Sequence, residues 1–205
     1  MEAWPQASAR ERQHYERSRW LIRLLYHTAL RASEAANAQA ADFFQRRGRW
    51  WLHVIGKGGA EGEVPVSDTL MADFARYRAF HDLAPMPLPA ESTPAVMSIA
   101  GDAKGHLTPT AIYLIAKEVF RRAADTLEPT DPIGAATLRR ASTHWLRHYV
   151  SFLTMSCNPP IARILRGECW NGKEIVFIPT AASWLRGRSA SLVSSFISGR
   201  SLTTE

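Results

Sequence analysis

The first third of the chain begins with a helical repeat of apolar side chains. Residues 9–27 carry this repeat, and the face opposite the apolar stripe is strongly basic. The stripe consists of four large side chains: Trp20, Leu21, Leu24 and Leu25. The repeat breaks at residues 28–34, and an alanine-rich stretch over 35–41 follows, with Ser33 as a plausible helix cap. We therefore predict two helices, with Arg31 at the bend between them.

The next pattern is typical of a β-hairpin. Residues 50–55 are aromatic or β-branched at most positions, and a second extended segment, 63–66, follows after a short interval. The interval contains Gly56-Lys57-Gly58-Gly59, in which the glycines permit a tight turn. The sequence thus predicts two antiparallel strands with Lys57 at their turn.

Helical patterns occupy most of the remaining chain up to residue 149. Residues 68–79 form one predicted helix, and a proline-rich loop follows over 84–94. A further helix is expected from Thr108-Pro109, a cap followed by proline, and it ends before Pro129. Another helix begins at Ser142-Thr143. The predicted fold class is mainly α, with a small antiparallel β-sheet or hairpin.

Composition and charge narrow the classes of protein to consider. A hydrophobic fraction of 46% with 21% charged residues excludes a disordered or coiled-coil chain. The two cysteines have no metal or redox spacing, and no run of about 18 apolar residues or leader pattern is seen. We expect a cytoplasmic protein that does not cross the membrane. Lys and Arg number 25 against 19 acidic residues, and this net charge of +6 favours a polyanionic partner such as nucleic acid.

Four basic side chains form a set suited to phosphodiester chemistry. Arg31 and Arg147 provide guanidinium forks that can bind two phosphate oxygens and stabilise the charge of a transition state. Lys57, at a turn, can protonate a leaving oxygen, and His144, at a helix start, can exchange a proton. Helical spacing places His144, Arg147 and His148 on one face. Taken alone, Arg31 could equally be an ion-pair partner of Glu34.

These residues lie in motifs that resemble the catalytic domain of the tyrosine recombinase, or phage integrase, family. Thr28-Ala29-Leu30-Arg31-Ala32-Ser33-Glu34 resembles the first arginine box of the family, with Ala29 in place of the usual glycine. Val54-Ile55-Gly56-Lys57-Gly58-Gly59 resembles its β-hairpin, and Thr143-His144-Trp145-Leu146-Arg147-His148 resembles its second box. The resemblance implies DNA cleavage and rejoining through a 3′-phosphotyrosyl bond, without metal or cofactor. Arg31 and Arg147 would hold the phosphate, Lys57 would protonate the leaving 5′ oxygen, and His144 would assist.

The resemblance weakens after the second box. Counting from His144 places Trp170 at a position where the family uses histidine or tryptophan, whereas an alternative register places Glu168 there and Phe177 where the nucleophilic tyrosine belongs. No tyrosine follows Tyr149. Two hypotheses stay open: the segment after about residue 150 is a divergent or frame-shifted remnant, or the protein is a nucleophile-deficient relative that binds DNA without cutting it.

The resemblance also divides the chain and names its partners. Residues 1–17 are expected to be a linker or N-terminal extension, 18–180 a recombinase-like catalytic domain that is degenerate after about 150, and 181–205 a serine-rich tail. The expected partners are double-stranded DNA and either a second copy of this chain or an intact recombinase. When bound to DNA, the protein is expected at the nucleoid.

Overall fold

A computed structural model describes residues 4–99 and 105–148. Five named helices and three strands occur in it: α1 (Ala9–Thr28), α2 (Ala32–Asn37), β1 (Phe43–Arg46), β2 (Arg49–Ile55), β3 (Glu61–Val66), α3 (Asp68–Phe80), α4 (Pro109–Leu127) and α5 (Pro132–Arg140). A last helical segment covers residues 143–148. The strands form one antiparallel sheet in the order β1-β2-β3. The predicted fold class, mainly α with a small antiparallel sheet, is confirmed.

Helix α1 begins at a capping box and ends at a residue with left-handed backbone. The Ser8 hydroxyl accepts the Glu11 N–H at 3.1 Å, and the Glu11 carboxylate accepts the Ser8 N–H at 2.8 Å, so two unpaired amides at the helix start are satisfied. The helix ends at Ala29, whose left-handed backbone (φ 54°) turns the chain. The predicted apolar stripe is confirmed, because all four of its side chains are fully buried.

The core lies between α1, α3, α4 and the sheet. The indole of Trp20 stacks on the ring of Phe74 with centroids 4.8 Å apart, and its Nε1 donates to the Ala95 carbonyl at 2.7 Å. Phe43 of β1 packs against Phe74 at 4.5 Å between centroids. These aromatic contacts bury large apolar areas and fix the position of α1 on the sheet.

A buried ion pair adds a polar link between α1 and α3. The Asp73 carboxylate accepts hydrogen bonds from the Arg19 guanidinium at 2.7 Å and from Nε of Arg23. Asp73 is buried, and both arginines lie on the basic side of α1. One acidic side chain of α3 therefore balances two cations of α1.

The predicted hairpin is confirmed, with Lys57 at its turn. Strands β2 and β3 pair from Trp50 opposite Val66 to Ile55 opposite Glu61, and the chain turns between them over Lys57–Gly59, where the Gly59 N–H donates to the Gly56 carbonyl at 3.2 Å. Gly58 and Gly59 have φ of 76° and 77°, values that side chains with a Cβ rarely adopt. Strand β1, which the sequence analysis did not predict, adds a third strand to this hairpin.

The C-terminal helices of the described chain carry the second predicted motif. Helix α4 begins after the cap Thr108, whose hydroxyl accepts the Ala111 N–H at 3.1 Å, as predicted. Helix α5 was not predicted. The Lys117 ammonium of α4 donates to the carbonyls of Arg139 (2.6 Å) and Ala141 (3.1 Å), which fastens the end of α5 just before the 143–148 segment.

Several sequence predictions lie outside the described residues. They include Trp170, Glu168 and Phe177, the domain limit at 180 and the tail over 181–205. Among residues 4–99 and 105–148, no helix is long and apolar enough to cross a lipid bilayer.

Candidate functional site

Arg31 lies at the junction of α1 and α2, as the sequence predicts. It is the N-cap residue of α2, with extended backbone (φ −71°, ψ 157°). Its Nη1 donates to Oε1 of Glu34 at 2.6 Å, and its backbone N–H donates to Oε2 of the same carboxylate at 2.8 Å. The Arg31 side chain is 52% exposed, whereas that of Glu34 is 6% exposed. The guanidinium is thus anchored at one edge and open to solvent elsewhere.

Arg147 reaches the same junction from the far end of the described chain. Its Nη1 donates to the Ala29 carbonyl at 2.7 Å and lies 3.6 Å from Oε2 of Glu34. Burial lowers the pKa of Arg147, the nearby charge of Arg31 lowers it further, and Glu34 opposes both effects. An arginine stays protonated at neutral pH in spite of such a shift. Two guanidiniums from separate elements therefore share one buried carboxylate.

Lys57 follows Gly56, a residue that lies close to the Glu34 carboxylate. A Cβ added to Gly56 would lie 3.6 Å from Oε1 of Glu34, so the β2–β3 turn passes directly beside the buried acid. The Lys57 side chain is exposed, and among the described residues no carboxylate lies within 4.0 Å of its ammonium. The ammonium is available to an incoming anion.

The two histidines of the second motif contact each other. Nε2 of His144 and Nε2 of His148 lie 2.7 Å apart, and the rings meet edge to face with centroids at 4.2 Å. Burial is the main cause that lowers the pKa of His148, and the charges of His144 and Arg147 contribute in the same direction. One ring nitrogen must donate and the other accept, so the pair holds a single proton between its facing nitrogens.

The predicted site residues are thus brought together to different degrees. Arg31, Arg147 and the Lys57 turn converge on Glu34, and His144 pairs with His148 on the helical segment that carries Arg147. The side chain of Arg147 extends away from this pair to Ala29. The catalytic roles of Arg31, Lys57, His144 and Arg147 stay predictions, and that of Trp170 concerns a residue outside the described ones.

Glu34 was considered from the sequence only as an ion-pair partner of Arg31, and that ion pair is present. The sequence shows it three residues after Arg31, at the N3 position where an acidic side chain caps a helix. That local signal explains its contact with Arg31. Nothing local could indicate that its second oxygen faces Arg147, because that contact arises only when distant segments pack.

The arrangement can bind an oxyanion. Guanidinium forks on two sides match the oxygens of a phosphate, and a mobile ammonium can approach a third. Within the described segments, no three metal-binding side chains gather into a cluster.

Comparisons with known proteins agree with the motifs. The solved structures that resemble the chain include a XerH site-specific recombinase bound to palindromic difH substrate in a post-cleavage complex (20% identity, TM-score 0.49) and XerH bound to difH substrate in a pre-cleavage complex (23%, 0.44). Each match covers 74% of this chain, which corresponds to 37% of the other. No curated protein matches the chain. Residues 5–155 match the phage integrase family over well more than half of the sequence, so the chain belongs to that family.

Proposed function

We propose that this chain is the DNA-binding part of a site-specific recombinase and holds one backbone phosphate between Arg31 and Arg147. The observation that carries the proposal is the sharing of one buried carboxylate, Glu34, by these two arginines. A shared anchor fixes both guanidiniums before DNA arrives, which reduces the conformational entropy lost on binding.

The charges of the cluster support a phosphate ligand. Arg31, Arg147 and Lys57 contribute three positive charges, and Glu34 removes one of them. The remaining positive charge favours an anion, and DNA carries a dense row of phosphates. The family chemistry adds the remaining roles: Lys57 protonates the leaving 5′ oxygen, His144 acts as general acid or base, and Trp170 completes the set.

The proposed reaction depends on whether this chain contains the nucleophilic tyrosine. This sequence contains no tyrosine after Tyr149, and the family reaction needs a tyrosine oxygen to attack phosphorus. We therefore propose DNA binding with little or no strand exchange by this chain. A second copy or an intact recombinase is the proposed protein partner, with residues 18–180 as the recombinase-like domain.

The binding proposal is tested by comparing two arginines of equal exposure. Arg76, like Arg31, is 52% exposed and lies 2.6 Å from a largely buried glutamate, Glu16. We expect Arg31→Ala to weaken binding to a DNA duplex at least ten-fold and to reduce the slope of log K against log salt by about 0.9. Arg76→Ala should leave both quantities unchanged. Equal effects of the two substitutions would refute the proposed phosphate site.

A separate experiment tests the absence of cleavage. The full chain is incubated with end-labelled duplex and then denatured, so that only a covalent protein–DNA adduct migrates with the protein. We expect binding without an adduct. An adduct would show that the chain has a nucleophile and is an active recombinase.

A further inference from the structure

A cavity of about 380 Å³ lies at the opposite end of α1 from the proposed phosphate site. The N-terminal residues Trp4 and Pro5, the first turns of α1 and the exposed side of α4 line it. At 1.5 Å per residue, Arg17, a buried cation of its lining, lies about 16 Å along the helix from Thr28. The cavity is therefore separate from the Arg31 and Arg147 cluster.

Arg17 is a buried cation without a counter-charge in the described chain. The residue is 7% exposed, and its Nε is buried without a hydrogen-bond partner. Its Nη2 lies 3.2 Å from Nδ1 of His14, which can only accept from it as a neutral ring. Among residues 4–99 and 105–148, no carboxylate lies within 4.0 Å of its guanidinium. Buried charges in proteins are normally paired, so a bound anion would compensate this one.

The other charged side chains of the cavity have hydrogen-bond or ring partners of their own. The Glu118 carboxylate accepts hydrogen bonds from Arg121 and Arg122, and the Glu11 carboxylate accepts the Ser8 N–H at the helix start. The Arg122 guanidinium also lies over the Trp4 ring, 4.6 Å from its centroid. Among the described residues that line this cavity, Arg17 is the arginine whose guanidinium has no carboxylate within 4.0 Å.

The walls determine which kind of anion fits. Trp4, Pro5, Leu114 and Ile115 form an apolar surface, and Leu114 is strongly exposed on α4. The two carboxylates of Glu11 and Glu118 disfavour an anion of higher charge, such as a phosphate dianion. The volume lies within the range of about 300–1,000 Å³ that is usual for small-molecule sites.

We infer that this cavity binds a monocarboxylate with an aromatic or aliphatic body, whose carboxylate pairs with Arg17 and whose body packs against Trp4 and Leu114. A free organic acid and the C-terminal residue of a peptide share this chemistry. The site is independent of the proposed DNA function.

The first experiment titrates the full chain with naphthalene-2-carboxylate and, as the uncharged control, naphthalene-2-carboxamide. We expect saturable binding of the acid and at least ten-fold weaker binding of the amide, because only the acid compensates Arg17. Equal binding of acid and amide, or no saturable binding of the acid, would overturn the inference. A blocked dipeptide ending in phenylalanine, titrated in parallel, distinguishes the two sources: tighter binding than the naphthoate identifies a peptide terminus, and weaker binding a free acid.

Substitution of Arg17 tests whether this side chain binds the carboxylate of the acid. Arg17→Met removes an unpaired buried charge in favour of an apolar side chain, so this variant should fold at least as stably as the wild type. We expect it to bind the acid at least ten-fold more weakly and to lose the rise in Tm that the acid gives the wild type. Arg76→Met, outside the cavity, should behave as wild type. Undiminished binding by Arg17→Met would refute the inference.

A last variant tests whether the chain supplies the anion itself. Glu2 precedes Trp4 by two residues and carries a carboxylate. If the Glu2→Gln variant binds the acid and the wild type does not, the Glu2 carboxylate is the counter-charge of Arg17, and the inference of an external ligand is wrong.

Discussion

At the scale of single residues, the candidate site is organised by Glu34. Its carboxylate is buried at the start of α2, accepts a backbone N–H and a guanidinium from Arg31, and faces Arg147. Hydrogen bonds between charged groups are stronger than neutral ones, and they hold long side chains in one rotamer. Neutralising Glu34 would remove this preorganisation, which weakens phosphate binding. It would also raise the net positive charge, which strengthens phosphate binding.

Glu34→Gln should weaken DNA binding even though it makes the chain more positive. Glutamine keeps the shape of the side chain but not its charge, so both guanidiniums lose their anchor, and we expect a loss of about three- to ten-fold in affinity. Duplex titration at fixed salt measures it. Glu16→Gln, which makes the same charge change at the Arg76 pair, should bind DNA at least as tightly as the wild type. Tighter binding by Glu34→Gln would mean that net charge dominates.

Ala29 offers a stabilising substitution at the same junction. Its φ of 54° is left-handed, a conformation that favours glycine over alanine. We expect Ala29→Gly to raise the free energy of unfolding by about 0.5–1 kcal/mol, after subtracting the greater freedom of glycine in the unfolded chain. The urea midpoint measures the change. Ala38→Gly, at an ordinary extended backbone, should lower stability, and a loss at both positions would contradict the argument.

At the scale of elements, the pairing of α1 with α3 depends on polar as well as aromatic contacts. Asp73 lies on the buried side of α3 and receives two arginines one turn apart on α1. Removal of one partner from a buried ion pair leaves the other charges without compensation. The link is therefore more important to stability than an ion pair on the surface.

Asp73→Asn should cost about 2 kcal/mol of unfolding free energy, a value below that of fully buried pairs because Arg19 and Arg23 remain partly exposed. Chemical denaturation with an unchanged slope against denaturant is the measurement. Asp125→Asn removes an exposed acid that pairs with Arg121 and Arg139, and it should cost less than about 0.5 kcal/mol. Similar losses for both variants would show that burial does not control the effect.

The sequence predicted the elements with strong local signals and missed those that depend on neighbours. Helix α4 has a cap, a proline and a long apolar repeat, and its bounds follow from them. Strand β1 has four residues, and Phe43 is apolar because it packs on Trp20 and Phe74 of other elements. Helix α5 has a local start signal in Asp131-Pro132, but it is short and contains Gly134, a residue that lowers helix propensity. The structure explains this glycine: its N–H donates to Asp131 at 2.8 Å, and a Cβ there would clash with the same carboxylate.

At the scale of the whole molecule, the motifs were predicted from the sequence, and the family resemblance implies that they act on one phosphate, but the shared carboxylate of Glu34 was not predicted. Arg31, Lys57, His144 and Arg147 lie in short local patterns, so their chemistry can be assigned before the fold is known. Their convergence on Glu34 requires α1, the hairpin and the 143–148 segment to pack together. Long-range packing also decides that Arg147 reaches Ala29, whereas the contact between His144 and His148 is the local one that helical spacing predicts.

Acid stability is a property of the whole chain to which Glu91 contributes. Both Glu91 oxygens accept from Arg78 at 2.9 Å, and this pair holds the proline-rich loop on α3. Burial, the largest single influence, raises the pKa of Glu91. Hydrogen bonds from Arg78, Leu88 and Thr93, together with the Arg78 charge, outweigh it and leave the pKa below its ordinary value. A lowered carboxylate pKa stabilises the fold above the ordinary value of about 4.3, and this stability is lost as pH falls through the folded pKa.

Glu91→Gln should therefore flatten the acid limb of the stability curve. We expect the variant to be about 2 kcal/mol less stable than the wild type at neutral pH and the difference to shrink below about pH 4. Urea denaturation over this pH range measures both. Glu128→Gln, an exposed control, should leave the profile close to that of the wild type. A constant difference at all pH values would show that Glu91 acts through packing alone.

The fixed ends of α1 restrict how this helix can vary. Its start borders the Arg17 cavity, its middle carries both partners of Asp73, and its end presents the Ala29 carbonyl to Arg147. Each inserted or deleted residue would rotate one end against the other by about 100°. We expect side chains on the exposed face of α1 to vary among related sequences while the length of the helix stays constant. Insertions should occur in the proline-rich loop instead.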